Sequence, residues 1–536
     1  MGIPSYFSYI IKNYSNIIYN QKQIVNENIC FCYLFMDCNS IIYDEVRKLE
    51  INIAKKNDII VNFENTLINN VISTIGDYIH NISPSQLVYI AFDGVAPFAK
   101  MTQQRTRRHK GSILSKIDSV LQKPTSNIDW STSNITPGTQ FMNNLSIKVK
   151  KAFSNLESHF NVKKIIVSGS DVCGEGEHKM FQYIRENINK STGDALVYGL
   201  DSDLIMLSLF HCEKFKNLFI YRETPEFGKK LVSNENADSD YLFLNIRSLS
   251  KAILNEMNCD TNDNHRLYDY IFMCFLLGND FLPHFPSLNL RTNGIDILLD
   301  TYKQTLAHNN SRSFISNSLE IQWRWVYMFI SELAKNEKDR FTNEYSTREK
   351  LSKRKWNMNN TENKEFTVQN VPVIYRQQEL YIAPNEYFWE QRYYNTLFSH
   401  SNVDVKHICE NYLEGLEWVF KYYTSNCPNW RWSYKYHYPP LLKDLCKYIP
   451  KKQMAFFDNI KYNPFSPLVQ LSYVLPMKNH SLLPLTVNEY LKEHESQYYI
   501  DNPKYEWAFC RYFWESHPVL PEIPISTMEK WNTLWN

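Results

Sequence analysis

The sequence predicts an α/β fold, with a mostly parallel central sheet flanked by helices and a second, mixed α+β lobe packed around the site that the sheet forms. Near-continuous apolar runs, typical of strands covered on both faces of a parallel sheet, alternate with segments whose apolar residues recur at helical spacing. The chain has 536 residues. This length is too great for one ordinary hydrophobic core and therefore indicates at least two lobes.

Four apolar runs are the expected strands of the sheet. In chain order they are CFCYLFMD (30–37), LVYIAFD (87–93), KIIVSGS (164–170) and ALVYGLD (195–201). Three of the runs end in an acid, namely Asp37, Asp93 and Asp201, and Asp203 follows the last of these. In open α/β sheets ligands bind at the carboxyl ends of the strands, so we expect these side chains to share one crevice.

Three further acids are predicted to join them. The stretch CGEGEHKM carries Glu175 and Glu177 on either side of a glycine, which lets the backbone approach a ligand closely. The stretch FLLGNDFLPH places Asp280 after an apolar helix that Gly278 could terminate. Seven acids at one edge would raise each other's pKa values unless cations held them. Any one of them alone is more typical of a turn or a helix cap, so the prediction rests on their conjunction.

Carboxylates gathered in this way suit hard divalent cations. We therefore expect two Mg²⁺ or Mn²⁺ ions as cofactors. Two such ions can activate a water on one side of a phosphodiester and stabilise the leaving oxygen on the other, without a nucleophilic side chain.

The stretch YIAFDGVAPFAKMTQQRTRRHK (89–110) sets a lone carboxylate beside a block of cations. If residues 100–110 are helical, Lys100, Gln104, Arg107 and Arg108 lie on one helix face. Forked guanidinium donors, a compact ammonium and an amide suit a terminal phosphate. The alternative is a solvated basic helix, because charge runs usually face water. The nearby Asp93 favours the phosphate site.

The sequence divides into three regions. Residues 1–333 carry the acids and form the predicted N-terminal catalytic region, residues 334–379 form a charged linker or insertion, and residues 380–536 form a second region that completes the site. The linker prediction rests on dense charge and Asn content with little apolar periodicity. The second region is rich in Tyr, Trp and Pro.

Composition excludes several classes of protein. With 43% hydrophobic and 21% charged residues the chain is not disordered, and no apolar run approaches the roughly 20 residues of a membrane helix. The 58 Lys/Arg nearly cancel the 57 Asp/Glu, so a polyanion must be attracted by a local patch. Eleven scattered cysteines without a CxxC pair indicate a reducing compartment and no structural zinc. We expect a cytoplasmic monomer, with the nucleus as the alternative compartment and no membrane partner. The sequence does not identify protein partners.

Blocks along the chain resemble, in order, the signature motifs of the Xrn-type 5′-to-3′ exoribonucleases. The first region contributes MGIPSYFSYI, MDCNSIIYD, AFDGVAPFAKMTQQRTRRHK, SNITPGTQFM, GEGEHKMFQYIR, YGLDSDLIML and LLGNDFLPHFPSL. The blocks YLEGLEWVFKYYTSNCPNWRWSYKYHYPP and NPFSPLVQLSYVLP resemble the family's second conserved region. The resemblance extends from Met1 to beyond residue 476 and implies a PIN- or FEN-like nuclease core.

The resemblance implies a processive, metal-dependent hydrolase that degrades single-stranded RNA carrying a 5′ monophosphate to mononucleotides, in RNA and mRNA decay. Matched position by position, the catalytic and metal-binding acids are Asp37, Asp93, Glu175, Glu177, Asp201, Asp203 and Asp280. The 5′-phosphate pocket is Lys100, Gln104, Arg107 and Arg108. A pocket that admits a single phosphate would exclude a cap or a triphosphate and would set the direction of degradation.

One position departs from the family pattern. In the family a His follows the first motif Asp by six positions and stacks on the terminal base, whereas Tyr43 stands here. A Tyr ring can still stack on a base, but it lacks the charge of the imidazole. Trp430 or Trp432 is predicted as the opposite stacking surface, and the alternative is that both indoles are packing residues. Large cytoplasmic members continue into further β-rich domains, so we expect a near-minimal catalytic unit.

Two other functions remain open from the sequence. A structure-specific 5′ DNA nuclease of the flap type would share acids at the sheet edge, although the aromatic second region and the basic block argue against it. A catalytically inactive RNA-binding relative is the other alternative, and the presence of all seven acids argues against it.

Overall fold

A seven-stranded sheet lies in the first half of the chain. The computed structural model describes residues 2–56, 62–121, 130–224, 241–309, 311–356, 359–398, 404–457 and 462–535. The strands, including a separate two-stranded ribbon near the end of the chain, are β1 (Ile18–Tyr19), β2 (Phe31–Asp37), β3 (Leu87–Ala91), β4 (Lys164–Ser168), β5 (Asp194–Tyr198), β6 (Leu218–Glu223), β7 (Tyr241–Asn245), β8 (Tyr505–Glu506) and β9 (His517–Pro518).

Helices make up most of the rest of the described chain. Those of the first 333 residues are α1 (Tyr6–Asn13), α2 (Gln21–Asn26), α3 (Asn39–Lys56), α4 (Phe63–Ile82), α5 (Phe98–Val120), α6 (Gln140–Phe153), α7 (Glu157–Phe160), α8 (Gly176–Asn187), α9 (Asp203–His211), α10 (Ile246–Glu256), α11 (Arg266–Cys274), α12 (Gly294–Tyr302) and the greater part of α13 (Trp323–Lys335). The later ones are α14 (Glu337–Ser352), α15 (Thr361–Gln369), α16 (Val371–Ile374), α17 (Gln377–Ile382), α18 (Trp389–Leu397), α19 (Val405–Thr424), α20 (Leu442–Tyr448), α21 (Pro467–Val474), α22 (Leu485–His494) and α23 (Ile525–Leu534). Within the described ranges no helix combines the length and apolarity needed to cross a membrane.

The strand order of the main sheet is β1-β7-β6-β5-β2-β3-β4. Strands β4, β3, β2, β5 and β6 are parallel to one another. At one edge β7 pairs antiparallel with β6, and β1 pairs antiparallel with β7. The chain builds outward from β2 to β4 and then returns to the other side of β2 as β5. The switch point of the topology therefore lies between β2 and β5, where α/β folds bind ligands. The four predicted strands and the mostly parallel α/β sheet are confirmed.

Both faces of the sheet are covered by hydrophobic cores. In β2, Leu34 and Met36 belong to the core on one face and Phe35 to the core on the other. The same alternation occurs in β5, where Leu196 and Val197 point to opposite faces. Because neither face meets water, both sets of positions are apolar, which explains the uninterrupted hydrophobic runs.

Helix α5 joins the two halves of the chain. It contains the predicted helix over residues 100–110, which is confirmed, and extends to 23 residues. Phe98 and Met101 are buried against Val469 and Tyr473 of the second region. The backbone N–H of Phe98 also donates to the carbonyl oxygen of Trp430, at 3.1 Å. The first turn of α5 is thus fixed by residues more than 300 positions away in the sequence.

The second region combines helices with a short strand pair, as expected of an α+β lobe, but within the described ranges it is mainly helical. Its described strands are the short pair β8 and β9. Aromatic residues favour strands, which is why the Tyr- and Trp-rich composition suggested them. In α19, however, rings such as Trp418, Tyr422 and Tyr423 fill the interior between helices.

The stretch 334–379, expected to be a charged linker or insertion, is folded as helices where it is described; the division into regions stays a prediction. The side chains of Glu337, Phe341, Glu344 and Arg348 form the buried face of α14. These residues have helical spacing, but three of the four are charged, so the stretch shows no apolar periodicity. The carboxylate of Glu379 on α17 pairs with Arg348 at 2.6 Å and with Arg376 at 2.6 Å.

Removing the charge of Glu379 should destabilise the protein. In Glu379→Gln the buried guanidinium groups of Arg348 and Arg376 lose their shared counter-charge, so we expect a loss of about 3–5 kcal/mol in the free energy of unfolding, measured with guanidinium chloride. The matched control is Glu349→Gln, because Glu349 pairs with Lys353 on the exposed face of α14. The control should leave the unfolding midpoint unchanged, and an equal effect of the two substitutions would contradict the prediction.

Candidate active site

Four of the predicted acids lie at the switch point of the sheet. Asp37 is the last residue of β2, Asp93 follows β3, and Asp201 and Asp203 follow β5. Strands β3, β2 and β5 are neighbours and parallel, so their carboxyl ends present these acids along one edge. Asp203 is buried, and Asp201 is the exposed member of the group.

The other three acids reach the same edge from helix ends. Glu175 caps α8, and Glu177 lies in its first turn. Asp280 follows α11 and a turn that ends at Gly278, whose φ of +84° belongs to the left-handed region. A Cβ at Gly278 would stand 2.8 Å from the backbone nitrogen of His284, so the turn requires glycine on both grounds.

The seven acids form one electrostatic group. Burial raises the pKa of Glu177 well above its ordinary value, and the carboxylates of Asp203 and Glu175 raise it further. Burial likewise raises the pKa of Asp37, with Asp93 and Asp201 adding to the effect. For Asp203 burial, together with the charge of Asp280, raises the pKa to about 7. Concentrated negative charge at this edge therefore opposes ionisation of its own members.

Lys100 supplies the opposite charge at the centre of the group. Its ammonium donates to Oδ2 of Asp280 at 2.8 Å and forms an ion pair with Glu175. Although burial raises the pKa of the Asp280 carboxyl, the Lys100 ammonium outweighs it and holds that pKa well below the ordinary value. Burial opposes the charge of Lys100, but Asp280 and Glu175 together raise its pKa, so the ammonium stays protonated.

Backbone and amide donors orient Asp93. Oδ1 of Asp93 accepts from the backbone N–H of Gly176 at 2.7 Å, and Oδ2 accepts from the side-chain amide of Asn39. The Asp93 N–H donates back to Oδ1 of Asn39 at 3.1 Å. A Cβ at Gly176 would stand 2.7 Å from Oδ1 of Asp37. The glycine predicted to permit close backbone approach thus lies directly against two of the acids.

The donor types at this edge fit a divalent cation. Oε2 of Glu177 and Oδ1 of Asp203 are buried carboxylate oxygens without a hydrogen-bond partner, and hard cations prefer such ligands. Within the described ranges no three acid, His or Cys side chains are arranged so as to hold one ion together. Positive charge is instead contributed by Lys100, which occupies the space between Glu175 and Asp280.

The four residues of the predicted phosphate pocket lie on one face of α5, but their surroundings differ. Lys100 faces the acids, and Oε1 of the buried Gln104 accepts from the Gln470 amide at 3.5 Å. Arg107 is exposed, and the neighbouring Tyr43, Asp280 and Asp201 raise the pKa of its guanidinium. Arg108 donates to the carbonyl oxygen of Ile135 at 3.1 Å. Lys100 and Gln104 therefore have protein partners already, and the exposed Arg107 lies nearest to water.

The structure gives the three predicted stacking residues different surroundings. Tyr43 on α3 is half-buried and lies close enough to Arg107 and Arg108 for its charge to affect the pKa of both guanidinium groups. Trp432 is buried and stacks on Trp418, with ring centres 5.3 Å apart, and its indole N–H donates to Glu414 at 3.1 Å. Trp432 is thus a packing residue here, whereas Trp430 is only half-buried.

Two residues at the site were not predicted. Asn39 lies in the quoted block MDCNSIIYD, and its amide spacing from Asp37 was the available signal. The hydroxyl of Tyr422 donates to Oε1 of Glu175 at 2.9 Å, and the His178 ring stacks on Tyr422 at 3.6 Å between centres. Tyr422 lies within an apolar helical pattern, so nothing in the sequence distinguishes it from a core residue.

Two family models match successive parts of the chain. The family model described as "XRN 5'-3' exonuclease N-terminus" matches residues 1–224, and the model described as "Xrn1 helical domain" matches residues 260–386 and 377–521. The chain is similar to 5'-3' exoribonuclease 1 of Saccharomyces cerevisiae, with 27% identity over 92% of this chain and 40% of that protein. It is also similar to the 5'-3' exoribonuclease 2 homolog of Drosophila melanogaster, with 26% identity over 98% of this chain and 70% of that protein.

The chain belongs to the family of Xrn-type 5′-to-3′ exoribonucleases. It spans less than half the length of the yeast relative. The human protein named 5'-3' exoribonuclease 1 is similar at 26% identity over 98% of this chain, but the matched part is only 33% of the human protein.

Neutralising one buried acid should stabilise the protein while no divalent ion is present. The raised pKa of Glu177 means that its ionised form costs stability at pH 7, and each pKa unit corresponds to about 1.4 kcal/mol. We expect Glu177→Gln in EDTA to gain about 1 kcal/mol or more, measured by thermal unfolding, and Mg²⁺ to reduce the gain. The control is Glu186→Gln on the exposed face of α8, which should leave the stability unchanged both in EDTA and in Mg²⁺. A loss of stability in Glu177→Gln would disprove the repulsion.

Proposed function

We propose that this protein is a processive 5′-to-3′ exoribonuclease that hydrolyses single-stranded RNA with a 5′ monophosphate to mononucleotides and acts in RNA decay. The observation that carries the proposal is the convergence of seven acids at the switch point of the sheet, next to the cationic face of α5. Family membership supports the same activity. A monomeric state and a cytoplasmic location belong to the proposal as expectations from the sequence.

Divalent ions, Mg²⁺ or Mn²⁺, are proposed to be held by the seven acids. Two such ions would supply an activated water and positive charge for the leaving oxygen. Asn39 and the Gly176 N–H keep the Asp93 carboxylate in one orientation. Tyr422 does the same for Glu175 through its hydroxyl. Lys100 limits the repulsion among the acids through its contacts with Glu175 and Asp280.

The cationic face of α5 is proposed to select the 5′ end. The terminal phosphate binds Arg107 and Arg108 by charge-assisted hydrogen bonds, with the amide of Gln104 and the ammonium of Lys100 completing the pocket. Tyr43, beside the two arginines, stacks on the terminal base, and Trp430 is the candidate on the opposite side. A cap or triphosphate would add groups and charge that a pocket for one phosphate cannot accommodate.

The test is a panel of one RNA sequence with three 5′ ends: monophosphate, hydroxyl and cap. With Mg²⁺ we expect mononucleotides from the monophosphate RNA only, and no product in EDTA or from Asp201→Ala. Equal degradation of all three RNAs would refute the phosphate requirement. Preferential cleavage of a DNA flap would favour the flap nuclease, and RNA binding without cleavage by the native protein would favour the inactive relative.

Replacing Arg107 should weaken recognition of the 5′ end without removing the catalytic acids. A hydrogen bond to a charged group contributes about 1.5–3 kcal/mol, so Arg107→Ala should lower the ratio of kcat/KM for monophosphate over hydroxyl RNA by roughly ten- to a hundredfold. Lys116→Ala, an exposed cation further along α5, is the matched control and should keep the ratio. An unchanged ratio in Arg107→Ala would return α5 to the solvated-helix interpretation.

A further inference from the structure

A cavity adjoins the acids on a face of α5 different from that of the predicted phosphate pocket. It has a volume of about 250 Å³, and its walls come from α5, the turn around Asp280, residues 433–438 and residues 508–517. We name it the Asp280 cavity. On α5 it is lined by residues from Ala99 to Lys110, a separation of roughly 16 Å along the helix axis.

The Asp280 cavity is distinct from the predicted phosphate pocket. The α5 residues that line it include Gln103, Thr106 and Lys110, which have helical spacing among themselves. Lys100, Gln104, Arg107 and Arg108 lie on the adjacent face. Asp280 belongs to both sites, because it lines the cavity and accepts a hydrogen bond from Lys100. The cavity therefore adjoins the acids at Asp280, on a different face of α5 from the four predicted phosphate-binding residues.

Two polar atoms of residues that line the cavity have no hydrogen-bond partner in the described part of the chain. Oδ1 of Asn279 accepts from the N–H groups of Phe281 and Leu282, each at 2.9 Å, which orients the amide. Its Nδ2 is then a buried donor without an acceptor. Oε1 of Gln103 is a buried acceptor without a donor. Unsatisfied buried polar atoms are costly, so a ligand that offers both a donor and an acceptor would be stabilised here.

The remaining walls combine aromatic rings with a cation. The rings of His437 and His517 stack with centres 4.8 Å apart, and Trp514 lies in the same wall. The Lys110 ammonium donates to the carbonyl oxygen of Trp514 at 2.6 Å. Burial lowers the pKa of Lys110 to about 8, so an anion beside it would be favoured. The lining also contains Arg291, Asp280 and Glu515, of which Arg291 and Glu515 form an ion pair at 2.7 Å. Aromatic rings, cations and the two amide atoms without partners match the chemistry of a nucleotide.

We propose that the Asp280 cavity receives the nucleoside 5′-monophosphate released by hydrolysis. The inference rests on the proposed function. After each cut the new 5′ phosphate of the RNA must occupy the phosphate pocket formed by Lys100, Gln104, Arg107 and Arg108. The product therefore has to leave by a route that the RNA does not fill. The base lies against the wall that contains Trp514, and the phosphate binds Lys110. Gln103 and Asn279 hydrogen-bond the base or the ribose.

The experiment measures the Kd for AMP by calorimetry on the whole protein in EDTA, where no RNA can be cleaved. Lys110→Met removes the cation, and Thr106→Phe fills the cavity from α5. Arg107→Ala removes the exposed cation of the phosphate pocket, and Lys116→Met is the control outside both sites. Thermal unfolding verifies that each variant is folded, and if Lys110→Met is not, Thr106→Phe decides.

We expect Lys110→Met and Thr106→Phe to raise the Kd of the cavity site by roughly tenfold or more, from loss of a charge-assisted contact or of space, with little change in Lys116→Met. Arg107→Ala should weaken AMP only at the separate phosphate pocket and leave the binding that depends on Lys110. Adenosine should bind more weakly than AMP to the native protein. The opposite pattern, with loss only in Arg107→Ala, would place the product in the phosphate pocket and overturn the inference. Displacement of the Lys110-dependent AMP by a 5′-monophosphorylated RNA in direct competition would make the cavity part of the RNA path and would also overturn it.

Absence of AMP binding to a native protein that degrades monophosphate RNA would overturn the inference and leave the proposed function intact. Conversely, AMP binding that depends on Lys110 in a protein without exonuclease activity would remove the proposed function and with it the assignment of AMP as a product. The 5′-end panel and the calorimetry therefore fail separately.

Discussion

The contact on which the site depends is the one between the Lys100 ammonium and the carboxylates of Glu175 and Asp280. Parallel strands at a switch point bring acids together whether or not their charges tolerate it, because the sheet hydrogen bonds and the cores on both faces fix the strand ends. A buried cation on α5 makes that arrangement compatible with folding. Its position in turn requires α5 to lie against the acids, and the second region holds α5 there through Phe98 and Met101.

Site and stability are consequently in opposition at this edge. Carboxylates with raised pKa values, such as Glu177 and Asp37, lower stability where they converge, and the cores around β2 and β5 offset that cost. Donors that fix one conformation, such as Asn39 for Asp93, also prevent the acids from separating to relieve their repulsion. Because its carboxylates repel one another, the site favours any ligand that brings positive charge.

Much of the acidic edge could be predicted from the sequence, because each strand there is a continuous apolar run and each is followed by an acid. Period and position carry that information locally. The buried face of α14 could not be predicted, since Glu337, Glu344 and Arg348 resemble solvated residues until their partners in other helices are known. Tyr422 was missed for the converse reason. Within an apolar helix, a tyrosine that donates a hydrogen bond to Glu175 cannot be told from a core residue by its sequence pattern. The burial of Trp432 likewise depends on Trp418, a residue of another element.

Glu175 is held from two directions, by Lys100 on α5 and by the Tyr422 hydroxyl on α19. The first support comes from the part of the chain matched by one family model and the second from the part matched by the other. Neither part contains a complete environment for this carboxylate. Replacing either part by one that lacks its contact would therefore leave this carboxylate with only one of its two supports.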